Sequence, residues 1–178
     1  NEIQNLNVTR YDLSGDVQYL STKEGFLFES RNNESKLVLD LNKESQFSFD
    51  SDDVERGILG IASKNNLVYV SYSSLDIDGS YSLVVDEYSM NFSKVRNIIK
   101  IGGYHHRGFA GSLSFDSLGK LYLSVGDGGE PRLTPISDSI NPQNLNTLKG
   151  KILRLDVSKS KLEPEIVAYG IRNPWGVT

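Results

Sequence analysis

Three stretches of this chain follow one plan: "GDVQYLSTKEGFLFESRNNESKLVLDL", "GILGIASKNNLVYVSYSSLDIDGSYSLVVDEYS", and "GSLSFDSLGKLYLSVGDGG" running on to "GKILRLDV". In each, a short apolar segment meets a turn, a longer apolar segment exits into polar residues, and another strand-like segment follows. The segments "GFLFES" (25–30), "SKLVLDL" (35–41), "NLVYVSYSS" (66–74), "YSLVVDEYS" (81–89), "KLYLSVGD" (120–127) and "KILRLDV" (151–157) are rich in Val, Leu, Ile, Tyr and Phe, with local two-residue alternation. Alternation of that period buries one face of a strand. The clusters between them, such as "SRNNES", "LDIDGS" and "DSLGK", supply positive φ or short side-chain hydrogen bonds to the backbone. No segment carries a sustained 3.6-residue apolar period, so the chain is expected to be all-β.

The repeat length chooses among all-β architectures. It is close to the roughly 40 to 50 residues of a propeller blade, which predicts about three antiparallel blades. Closed propellers have about four to eight. Residues 1–178 are therefore expected to form the N-terminal portion of a single β-propeller domain.

Composition bears mainly on partners. Nineteen Lys and Arg against 23 Asp and Glu give a formal charge of −4, and the signs are mixed along the chain without a basic run. Nucleic acid is not an expected partner. No apolar stretch reaches the roughly 18 residues of a membrane-crossing helix. The opening "NEIQNLNVTR" has neither the basic nor the apolar part of a signal peptide. Without cysteine there is no disulfide or thiolate metal site.

Chemistry concentrates in a few short motifs. "IGGYHHRGFAG" (101–111) contains both histidines, His105 and His106; histidine titrates near neutral pH and is the usual general base, although adjacent histidines on a polar loop are ordinarily solvated. "GDGG" reads first as a strand-ending turn in which Asp127 caps the loop. In "YGIRNPWG", Pro174 pushes Asn173 out of the helical region and Trp175 anchors the turn. Glu55 and Arg56 read as a solvated pair ahead of an apolar strand. "QNLNTLKGKILRLD" reads mainly as scaffold, with Gln143 a possible neighbour of the site.

Taken in order, "ERGILGIA", "VYVSYS", "GSLSFDSLGKLYLSVGDGG", "QNLNTLKGKILRLD" and "YGIRNPWG" resemble the glucose/sorbosone dehydrogenase family. The resemblance implies a six-bladed propeller, a sugar substrate, the cofactor pyrroloquinoline quinone (PQQ) with Ca²⁺, an external electron acceptor, and a periplasmic or secreted location. It implies that Glu55, Arg172 and Asn173 face the cofactor, with Arg172 stabilising charge on a quinone oxygen, and that Asp127 orients a catalytic histidine. The metal ligands are not readable from side chains.

In the family the catalytic histidine stands three residues before the glycine that opens the next strand. Counting back from Gly111 lands on Gly108, so either the base is lost or the loop is longer here. With the shorter insertion the expected base is His106. The resemblance also leaves open a non-catalytic propeller that binds a protein or carbohydrate partner, because the fold alone does not decide chemistry.

Overall fold

The computed structural model describes residues 8–14, 17–32, 34–43, 47–48, 55–105, 107–129 and 140–178. They form three four-stranded sheets in which every paired neighbour is antiparallel. The first holds β1 (Val8–Ser14), β2 (Val17–Thr22), β3 (Phe26–Arg31) and β4 (Glu34–Asp40). The second holds β5 (Ile58–Lys64), β6 (Leu67–Leu75), β7 (Tyr81–Ser89) and β8 (Lys94–Tyr104). The third holds β9 (Ala110–Phe115), β10 (Leu121–Val125), β11 (Lys151–Leu155) and β12 (Glu165–Tyr169). Each is a meander in sequence order, as the blade repeat predicts. A 3-10 turn, Leu41–Lys43, follows β4.

The opening strands of the sheets, β1, β5 and β9, pack side by side. They approach closely: a Cβ on Gly60 of β5 would lie 2.2 Å from the Gly111 carbonyl oxygen. Ser71 of β6 donates its hydroxyl to that same carbonyl and so ties the second sheet to the third. No residue with a side chain fits at position 60 without moving backbone.

Two separate apolar cores lie between the sheets. Leu83 and Val85 of β7 join Leu121, Leu123 and Leu153 in one core, while Val84 and Tyr88 of the same strand join Tyr19 and Leu27 in the other. The second sheet is thus buried on both faces, and β7 is buried continuously from Ser82 to Tyr88. Alternation of side chains lets β5 supply both cores, and a register shift between Ile58 and Gly60 brings residues three apart to the same one, Ile58 and Ile61 to one core and Leu59 and Ala62 to the other.

Two expectations are corrected here. "IGGY" of the histidine stretch is not loop but the end of β8. Arg56 is not one half of a solvated pair: it is only 9% exposed, donates from Nη1 to the Tyr81 hydroxyl at 2.6 Å, and lies 4.8 Å from the centre of that ring.

Candidate functional site

The segments that lead into β5 and β9 and those that leave β10 and β12 meet at one end of the sheets. Between them is a cavity of about 320 Å³ lined by Glu55, Arg107, Gly108, Asp127, Gly129, Arg172 and Asn173. Of the residues singled out in the sequence, Glu55, Asp127, Arg172 and Asn173 come together here. His105 is described but exposed and does not line the cavity. His106 lies outside the described residues. Gln143 is also away from the lining and packs instead against Gly170, whose added Cβ would lie 2.9 Å from its Nε2.

Main-chain bonds fix the segments to one another. Asp127 donates its N–H to the Arg172 carbonyl at 2.8 Å, and Gly126 donates to Phe109 at 2.9 Å. The Asp127 carboxylate accepts from Gly129 N at 2.8 Å, which is the loop cap that "GDGG" predicts. Gly126 allows the closest approach: a Cβ there would sit 1.9 Å from the Gly108 carbonyl oxygen. Gly108 itself has φ +78, a conformation that glycine adopts without strain.

Glu55 spans the cavity. Its Oε2 accepts the Gly108 N–H at 2.6 Å and the Asn173 amide at 3.4 Å. The Asn173 Oδ1 is buried and has no donor among the described residues, and an acceptor in that state favours a ligand that brings a hydrogen-bond donor. The Arg172 side chain, on an exposed residue at the mouth, has no ion pair among the described residues.

Behind the cavity, Tyr104 stacks on Phe109 with ring centres 4.6 Å apart and donates its hydroxyl to the Gly126 carbonyl at 3.2 Å. Burial first, and then the nearby Asp127 charge, hold its phenol far above the usual range. The Lys149 ammonium lies 4.4 Å from the centre of the Tyr104 ring and donates to Gly103 at 2.5 Å. Burial lowers its pKa, and Asp127 opposes that shift. Tyr104 and Lys149 were not legible as supports of the site; only their closeness in sequence to glycine-rich stretches marked them.

The lining carries two guanidinium groups and two carboxylates around an orphan acceptor. The guanidinium groups and the open space fit a flat, anionic cofactor such as PQQ. Among the described residues, no group of three or more His, Cys, Asp or Glu that could hold a metal ion occurs, and Ca²⁺ would draw on backbone carbonyls as well. No step is assigned to a metal here.

The glucose/sorbosone dehydrogenase family model matches residues 52–178. The chain belongs to that family. The Arabidopsis thaliana HIPL2 protein is 33% identical over 175 residues, an alignment covering 72% of this chain and 24% of the relative. Hedgehog-interacting protein from Mus musculus is 26% identical over 189 residues, covering 86% of this chain and 25% of its own length. The crystal structure of the soluble aldose sugar dehydrogenase from Escherichia coli, in its apo-form, superposes with a TM-score of 0.69 at 22% identity and covers 94% of this chain and 52% of that one. This likeness establishes the β-propeller fold. The chain thus spans about a quarter of the curated relatives' length. Among the described residues, no helix is long and apolar enough to cross a membrane.

Proposed function

We propose that the full-length protein is a PQQ-dependent sugar dehydrogenase that oxidises an aldose at the anomeric carbon, passes the electrons to an external acceptor, and works in the periplasm or as a secreted protein. One observation carries this reading: residues 55, 127, 172 and 173, assigned by resemblance from separate stretches of sequence, line one cavity. PQQ, when bound, supplies the two-electron acceptor for the hydride that leaves the sugar carbon.

Arg172 supplies a permanent positive charge at the mouth, suited to an oxyanion that develops during reduction. Glu55 and Asn173, joined to each other and to Gly108, hold one wall in register. Asp127 offers a carboxylate to orient an imidazole. The proposed base is His106, next in the chain to Arg107, which lines the cavity.

A second reading, a propeller that grips a partner without redox chemistry, draws support from His105, which is exposed and apart from the lining, and from the similarity to Hedgehog-interacting protein. Reconstituting the full-length protein with PQQ and Ca²⁺, then offering a panel of sugars with an artificial electron acceptor, separates the two. Turnover that His106→Ala abolishes while PQQ still binds supports the dehydrogenase. No turnover and no spectral change of the cofactor support the binding module.

A further inference from the structure

Lys151 opens β11 and is wholly buried, at 0% exposure. Its ammonium donates to three main-chain carbonyls: Lys149 at 2.7 Å, Asn141 at 2.8 Å and Pro142 at 3.0 Å. An ammonium has three donors, so its capacity is filled. Burial depresses its pKa. A charge in this position is costly, and an apolar side chain of similar length would avoid the cost. What the ammonium holds must therefore account for it.

The three carbonyls come from both ends of the loop between residues 141 and 149, and that loop is bonded to both site-bearing segments. Asn141 donates its side-chain amide to the Asp127 carbonyl at 3.1 Å. Pro142 accepts from Gly170 N at 2.8 Å, using its second lone pair beside the lysine bond. Gly150, next to Lys151, donates to Gly126 at 3.1 Å and accepts from Ile171 at 3.2 Å. Residues 126–127 and 170–172 thus hang from a loop whose two ends are closed by one cation.

We infer that Lys151 is a positioning residue of the cavity: through the carbonyls it gathers, it fixes Asp127 relative to Arg172, acting as a built-in cation in a cage that, once the side chain is cut back, accepts a small alkylammonium ion. The inference rests on the reading that Asp127 and Arg172 act together in that cavity.

The test is Lys151→Ala in the full-length protein, read by amide hydrogen exchange as well as turnover. Exchange in segments 126–129 and 170–173 is expected to quicken by about tenfold or more, with β7 unchanged, because only bonds that depend on the cage are released. Propylammonium should restore protection, whereas tetramethylammonium, which has no N–H, should not. Quickening spread equally over β7 would make Lys151 a general stability residue and overturn the inference, as would unchanged exchange or restoration by both ions.

If Lys151→Ala yields no folded protein, Asn141→Ala decides. It cuts the link from the cage to Asp127, and faster exchange confined to 127–129 is expected; no change there overturns the inference. Should the unaltered protein show no turnover, the dehydrogenase reading fails on its own, while the exchange result still judges the positioning role.

Discussion

The Glu55 carboxylate accepts the Gly108 N–H at 2.6 Å across 53 residues of sequence, so one charge-assisted bond holds the approach to β5 against the approach to β9. Glu55→Ala leaves that amide without its acceptor and should destabilise the full-length protein by about 2 kcal/mol, with Glu55→Gln, which keeps a carbonyl oxygen, costing less. Denaturant titration of both variants checks the order. Equal stability of the two would contradict it.

Arg172 separates fold from chemistry. Its carbonyl, not its guanidinium, receives the Asp127 N–H, so Arg172→Ala should leave the thermal midpoint within a degree or two while turnover falls on the order of 100-fold. Scanning calorimetry beside steady-state kinetics makes the comparison. A variant with ordinary turnover removes Arg172 from the chemistry.

Gly126→Ala puts a methyl where only 1.9 Å separates it from the Gly108 carbonyl oxygen. Both sides of that contact are backbone, so the segments must part. PQQ titration of the variant is expected to lose saturation while the far-ultraviolet circular dichroism stays unchanged. Retained saturation would mean that the cavity tolerates the parting.

Acid sensitivity should appear at the opposite end of the sheets. Asp156 pairs with Lys120 at 2.6 Å, and hydrogen bonds from Lys120 and then Ser158 lower its carboxyl to about 2. The unfolded chain binds a proton there at higher pH than the folded one does. The contribution is therefore complete above the ordinary carboxylate range, shrinks as pH falls toward about 2, and weakens with salt. Comparing the pH dependence of unfolding for the Asp156→Asn variant with that of the parent checks this: the parent alone should show the added slope.

Strands that bury apolar residues announced themselves. The expected bounds of β7, 81–89, coincide with Tyr81–Ser89, although its burial on both faces erases alternation and leaves a continuous run. The strand β8 was missed because its residues are mostly exposed, with Lys94, Arg96, Asn97 and Lys100 along it; it becomes a strand by pairing with β7, a long-range cause that local pattern does not carry. The site was legible where a motif ties chemistry to a turn, as in "GDGG" and "IRNP". Lys151 was not, since the carbonyls that enclose its ammonium belong to a loop whose path is set only in the folded chain.

The division of β7 between two cores has a consequence for how such chains can be recombined. Val84 and Tyr88 answer to the first sheet, Leu83 and Val85 to the third, and no side chain serves both. A sheet grafted from a relative in place of the first would have to match the surface that Val84 and Tyr88 present. A graft replacing the second would have to match two independent surfaces at once, and a good fit on one side could not compensate for a gap on the other. An exchange of the second sheet should therefore succeed only where both of these surfaces are matched together.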